Sequence, residues 1–263
     1  MTNFNYYPMN TFKDLRNRYF TTGLMILLLV TLSSHRLSAS EEQLISTTPV
    51  PRLQSYEWMS LATWYRMHAD DVEIAEAGKG KILFIGDSII QGWTGPGMET
   101  WKEYFEPMGA INFGIGGDMT QNVLWRLDHG AVGNLAPERI VLLIGINNFG
   151  FTSETPTQIA VGHKMVVEKL HEVFPGAKIL VFAVFPSGEF PDNPLRAKIK
   201  ELYELTRSIE TIEGVTYVNI GDEFLLEDGR IPKEMMPDFL HPTLAGYKIM
   251  SEVVMKWLVD VAS

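Results

Sequence analysis

The chain has 263 residues, no cysteine, and 22 Lys+Arg against 32 Asp+Glu, a formal charge of −10. A hydrophobic content of 46% is too high for a disordered chain, and the acidic balance argues against a nucleic-acid binder, which needs a basic face. Without cysteine there is no disulfide framework, thiolate nucleophile or Cys-based zinc site.

The first forty residues differ from the rest. Lys13, Arg16 and Arg18 precede an apolar run from Gly23 to Leu32, and small residues follow at Ser38-Ala39-Ser40. This order predicts a secretory signal peptide over 1–40, cleaved near Ser40, and a secreted or periplasmic protein. The apolar run is too short to span a bilayer, so no stable membrane insertion is expected after cleavage. Removing that segment, with its four basic residues and Asp14, leaves 18 Lys+Arg and 31 Asp+Glu over 223 residues, a charge of −13. Such a length favours one domain.

Residues 41–56 carry Pro49 and Pro51 and read as an extended leader, with the globular domain over 57–263. Residues 57–77 place Trp58, Leu61, Trp64, Tyr65 and Met67 at roughly helical spacing, up to a stop at Gly78-Lys79-Gly80. Apolar runs follow at Lys81–Gly86, Arg139–Gly145, Lys178–Phe185 and Val215–Ile220, with a weaker one at Ala110–Phe113. They are β-branched and nearly continuous in apolar character, as strands buried on both faces should be. Helical patterns lie at Thr157–Phe174, Leu195–Ile212 and Pro242–Val261. Strands alternating with helices predict an α/β domain with a parallel sheet, whose ligand sits at the carboxyl ends of the strands.

The residues just after those runs are therefore the candidates. Ser88 follows Gly86-Asp87 and reads as either a nucleophile needing a base or a helix N-cap. Of six histidines, His241 has the best setting, in Pro237-Asp238-Phe239-Leu240-His241-Pro242 before the last helix. Asp238, one helical turn earlier, would reach the imidazole and stabilise its charged form. An ordinary helix-start loop has the same composition. The Gly114–Gly117 loop offers backbone N–H groups and Asn147 a side-chain amide for an oxyanion. Met119 stands where a dinucleotide G-x-G-x-x-G loop needs glycine, and Ile90 where G-x-S-x-G does. No metal-ligand spacing is present, so neither a metal nor a cofactor is expected. Ile89, Ile146 and Leu240 adjoin these positions and would wall a small acyl pocket. Trp93, Trp101 and Trp125 read as packing rather than sugar-stacking residues, Asp118 as an organiser of the glycine loop, and Arg196 as a partner in a surface salt bridge.

Together these pieces resemble a known superfamily. Ile85-Gly86-Asp87-Ser88-Ile89, Asn112-Phe113-Gly114-Ile115-Gly116-Gly117-Asp118, Gly145-Ile146-Asn147-Asn148 and Asp238-Phe239-Leu240-His241 are similar to the four blocks of the SGNH/GDSL hydrolases. Within it, Asn112–Leu127, Asn193–Arg196 and Asp238–His241 resemble the catalytic subunits of the intracellular platelet-activating-factor acetylhydrolases. The resemblance implies a flavodoxin-like three-layer sandwich with a five-stranded parallel sheet and no metal. It makes Ser88 the nucleophile, His241 the base and Asp238 its orienting partner. The N–H groups of Ser88 and Gly117 with the Asn147 amide form the implied oxyanion hole. Ile89 and Asn148 depart from the commonest leucine and aspartate of these blocks. The expectation is an exported serine esterase acting on a small ester or an acylated glycan, acetyl foremost. Its alternatives are a phospholipid acetylhydrolase, lysophospholipase or thioesterase, and a non-catalytic binding protein. A homodimer is compatible with the sequence.

Overall fold

The computed structural model describes residues 45–261; the export-signal reading of 1–40 lies outside the described residues. Five strands form one all-parallel sheet in the order β2-β1-β3-β4-β5: β1 Ile82–Gly86, β2 Ala110–Gly114, β3 Arg139–Leu143, β4 Lys178–Phe182 and β5 Val215–Val218. Each coincides with one of the predicted apolar runs. The larger helices are α1 Leu61–Glu76, α2 Ser88–Gln91, α3 Thr120–Asp128, α4 Ile146–Phe151, α5 Pro156–Val173, α6 Pro194–Thr206 and α7 Leu244–Asp260.

Strand β1 is apolar throughout, and β3 and β4 are so beyond Arg139 and Lys178, because both faces of the sheet centre are covered; the edge strands β2 and β5 carry Asn112 and Thr216. Along β1, Leu83 and Ile85 point to one side, into a core with Val123, Leu124 and Leu127 of α3 and Val166, Val167 and Leu170 of α5. Ile82 and Phe84 point to the other side, against Trp93, Phe105 and Tyr247, Met250 and Val254 of α7. This alternation with apolar partners on both faces makes the three-layer sandwich.

From β1 the chain crosses to β2 on one side, and later to β3 and then β4 on the other. The crevice between the carboxyl ends of β1 and its neighbours is thus the topological switch point where such sheets place ligands. Gly86 pairs with both Gly114 and Leu143 at that end. A Cβ on Gly86 would run into the Leu143 carbonyl, so only glycine lets the chain turn there into α2.

Residues 45–56 hold one short 3-10 turn, Ile45–Thr47, and no strand, but they are more than a leader. Ser46 and Arg52 are buried. The Ser46 N–H donates to Glu154 Oε1 at 2.8 Å, Thr120 Oγ1 donates to the Ser46 carbonyl at 2.8 Å, and the Val50 N–H donates to the Gln121 carbonyl at 3.3 Å. This strap ties the front of α3 to α5 and passes under the glycine loop.

Candidate active site

The site is built at the switch point from five segments. Asp87 caps α2, its Oδ1 accepting the Ile89 N–H at 3.0 Å, and this sets Ser88 in the first turn. The cap falls on Asp87 rather than on Ser88. His241 Nε2 lies 2.8 Å from Ser88 Oγ across 153 positions of sequence. On its other side His241 Nδ1 lies 2.6 Å from Asp238 Oδ2. An ionised carboxylate only accepts, so Nδ1 carries the proton and Nε2 is left to accept from the serine hydroxyl.

Asp238 is held by its own loop. Its Oδ1 accepts the N–H of Leu240 at 3.1 Å and of His241 at 2.8 Å. Burial pushes the carboxyl up, but the His241 ring and these backbone donors outweigh it and leave Asp238 below its ordinary value. Between the two catalytic candidates, Phe239 has φ +60°, the one non-glycine positive φ among the described residues. The loop thus holds a conformation that an L-residue enters at a cost of about 1–3 kcal/mol.

The glycine loop faces Ser88. Gly117 adopts φ +74°, and a Cβ there would lie 2.5 Å from Trp58 Cη2 and 2.8 Å from Arg52 Nη2. The N–H groups of Ser88 and Gly117 have no hydrogen-bond partner among the described residues. Gln91 Oε1 accepts the Gly116 N–H at 2.7 Å, and Asn147 Nδ2 donates to the Asp118 carbonyl at 2.9 Å. Both bonds fix the loop against its neighbours and bring the Asn147 amide to the site. Asn148 turns away. Its Oδ1 accepts the Thr120 N–H, and its Nδ2 donates to Gln121 and Glu154.

Asp118 is wholly buried beneath this loop. It accepts from Trp64 Nε1 at 2.6 Å and from Arg126 at 2.8 Å, with Arg52 at 3.5 Å. Burial pushes its carboxyl up while Arg126, Trp64 and Arg52 pull it down. Arg126 also donates to Asp71 at 2.6 Å and to the Phe113 carbonyl at 2.7 Å. Burial raises Asp71 to about 7 against the pull of Arg126.

A cavity of about 410 Å³ opens beside Ser88, lined by Trp58, Met59, Gln91, Phe151, Leu240 and His241 with the Gly116-Gly117 backbone and Asn147. Of the three predicted wall residues, Leu240 lines it. Ile89 does not: one position beyond Ser88 on a helical turn, its side chain points into the core with Phe84 and Trp93. Ile146 lies one layer back, packed with Ile159 and Val184 beside Leu240. Trp58, Met59 and Phe151 take their place. Tyr56 stacks between Trp58 at 5.2 Å and Phe151 at 4.6 Å, so the mouth carries an aromatic row.

The other residues singled out in the sequence have packing roles. Trp93 and Trp101 are core residues; Trp125 stacks on His129 at 4.0 Å. Arg196 makes no ion pair among the described residues and instead donates to the carbonyls of Ser187, Gly188 and Gly229. Missed in the sequence were Arg52, Gln91, Trp58, Met59 and Phe151. None has a spacing that points to the site. Among the described residues no cluster of acidic and histidine side chains is arranged to hold a metal ion, and no helix is long and apolar enough to cross a membrane.

The chain is similar to known proteins. The model of the GDSL-like lipase/acylhydrolase family matches residues 84–249. Platelet-activating factor acetylhydrolase IB subunit alpha1 from Homo sapiens is 36% identical over 213 residues, covering 80% of this chain and 87% of that protein. A GDSL-like lipase from Bacteroides thetaiotaomicron superposes with a TM-score of 0.58 at 21% identity, covering 76% of this chain and 98% of that one. Axe2, an acetylxylan esterase from Geobacillus stearothermophilus, does so with a TM-score of 0.54 at 17% identity, covering 69% and 95%. At those identities the two structures speak for the fold alone.

Proposed function

Because this chain belongs to the GDSL-like lipase/acylhydrolase family and is an ester-hydrolysing enzyme, we propose that Ser88 is its nucleophile and that it removes short acyl groups, acetyl foremost, from an alcohol. The observation that carries this reading is the unbroken chain of contacts, 2.8 Å from Ser88 to His241 and 2.6 Å from His241 to Asp238, beside an open cavity. Ser88 Oγ bonds to the ester carbonyl carbon as its proton passes to His241 Nε2. The carbonyl π-pair moves to oxygen, where the N–H groups of Ser88 and Gly117 and the Asn147 amide receive it. Collapse breaks the bond to the alcohol, which leaves with the proton from His241. Water then attacks the acyl-enzyme by the same route in reverse. Asp238 keeps the imidazole in the required tautomer and offsets its charge.

For the alcohol we favour a carbohydrate, and for the location an exported enzyme. Trp58 and Phe151, which line the cavity, give its mouth apolar faces of the kind that pyranose rings pack against. The order of basic, apolar and small residues before Ser40 supports export. A second reading, a phospholipid acetylhydrolase, is favoured by the 36% identity to the human acetylhydrolase subunit.

The test measures hydrolysis of p-nitrophenyl acetate and octanoate, and acetate release from acetylated xylo-oligosaccharides and from acetylated phospholipids. Acetate esters turn over faster than octanoate, and the glycan outpaces the lipid; the reverse orders overturn the acyl and alcohol assignments respectively. Ser88→Ala lowers kcat by about 10⁶-fold, as nucleophile removal does in such sites. Retained turnover overturns the nucleophile.

A further inference from the structure

Arg52 is a buried cation with no counterpart in the short blocks that mark the site, and its position has a chemical consequence. Its side chain is 3% exposed. Nη2 donates to the Gly116 carbonyl at 2.5 Å, and Nη1 to Met59 Sδ at 3.0 Å. Its guanidinium carbon lies 5.3, 5.6 and 5.9 Å from the rings of Tyr56, Trp58 and Trp64. The Gly116 C=O and the Gly117 N–H are the two ends of one delocalised peptide unit. A cation that accepts electron density at the oxygen end makes the nitrogen end a stronger donor.

We propose that Arg52 is a positioning residue that polarises the Gly116–Gly117 peptide and so strengthens the Gly117 N–H toward the oxyanion of the transition state. The assignment rests on the proposed reading of Gly117 as an oxyanion donor. A purely mechanical role does not account for the cation. The strap is already fastened through Ser46 and Val50. Asp118 already has Arg126 and Trp64 at 2.8 and 2.6 Å, closer than Arg52 at 3.5 Å. What Arg52 alone supplies is a charge-assisted bond on one carbonyl, and that carbonyl belongs to the loop facing Ser88. Substrate binds an uncharged carbonyl, whereas the transition state carries the negative oxygen, so the effect falls on kcat and spares KM.

The experiment compares Arg52→Met, Arg52→Gln and Arg52→Lys in the full chain, with p-nitrophenyl acetate as substrate and Ser88→Ala alongside. Removing an oxyanion donor outright costs about 10²–10³ in kcat; weakening one costs less, and Arg52→Met should lose about tenfold with KM within about twofold. Arg52→Lys should recover most of that loss. The Gly117 amide proton should move upfield in the ¹H–¹⁵N spectrum of Arg52→Met and return in Arg52→Lys. Should Arg52→Met fail to fold, Gln against Lys decides: both can donate, only Lys is charged, and Lys must be the faster. Equal kcat for Gln, Lys and the unchanged chain, a loss confined to KM, or an unmoved Gly117 amide overturns the role of Arg52. If Ser88→Ala is inactive in that experiment, the serine reading stands regardless; if it turns over, that reading is what fails.

Discussion

Asp238→Asn isolates what the carboxylate contributes, because the loop itself decides how the amide will sit. Oδ1 accepts two backbone N–H groups, from Leu240 and His241. In the variant the amide oxygen takes that place, and the NH₂ group is left where Oδ2 was, 2.6 Å from His241 Nδ1. It can only donate there, which selects the tautomer with the proton on Nε2, and Ser88 loses its acceptor. Losing the charge-assisted bond in the right tautomer costs about 1.5–3 kcal/mol, and gaining an ordinary one in the wrong tautomer adds about 0.5–1.5. The imidazolium formed during attack also loses its counter-charge. In an interior that would be worth several kcal/mol, but Asp238 is half-exposed and water screens it to about 1–2. The sum is about 3–6 kcal/mol, a fall in kcat/KM of about 10²–10⁴-fold. The assay is p-nitrophenyl acetate hydrolysis between pH 5 and 9, with urea unfolding as a control for the fold. A loss of less than about fivefold in a folded variant would refute the tautomer argument.

Two further outcomes follow from the geometry. Gly117→Ala forces a Cβ into Trp58 and Arg52 at φ +74°, so kcat should fall at least about 100-fold while unfolding free energy drops by about 1–2 kcal/mol for the left-handed backbone; near-normal kcat would remove Gly117 from the site. Asp87 is buried, its Oδ2 has no partner among the described residues, and burial raises its carboxyl from 3.8 to about 7. A raised folded-state value means that its contribution is fully present below about 3.8 and is lost as pH climbs to about 7. Asp87→Asn keeps an N-cap residue and cannot ionise. Its advantage over the unchanged chain in urea unfolding should grow from near zero at pH 4 to about 3–4 kcal/mol at pH 8; an advantage that does not change with pH sinks this account.

The sheet was legible because its central strands, buried on both faces, are apolar at nearly every position. The helix α3 was not. Thr120, Gln121, Asn122 and Arg126 are buried in it beside Val123, Leu124 and Leu127, so its apolar stripe is short and the polar residues around it obscure the pattern by which an amphipathic helix is recognised. Its inward polar groups are satisfied by residues far away in sequence: Ser46, Val50, Asp71 and Asn148. The strap failed as a prediction for the same reason. It has no periodicity, and its burial depends on single residues meeting distant partners. Ile89 was misplaced by a different error, that of treating a chain neighbour of Ser88 as a neighbour in the cavity. On a helical turn the next residue faces about 100° away, into the core. Leu240 sits in a loop and lines the cavity.

The two halves of the site differ in how strongly chemistry constrains their residues. The proton transfer proposed for Ser88 would need an imidazole and a carboxylate in fixed roles, so this half is written in short blocks that a single sequence displays. Holding the glycine loop needs only donors at its carbonyls and acceptors at its free amides, and many side chains can serve. Here they are Gln91 on Gly116, Arg52 on the Gly116 carbonyl, and Asn147 on the Asp118 carbonyl, with the Trp64–Asp118–Arg126 network below. Arg52 and Trp64 precede residue 84, where the family match begins. So do the cavity-wall residues Trp58 and Met59. The part of the chain that the motifs do not mark therefore shapes the cavity wall and supports the glycine loop to which we assign the oxyanion. Substrate preference in this enzyme should accordingly move with changes in residues 52–64 more readily than with conservative changes inside the four blocks.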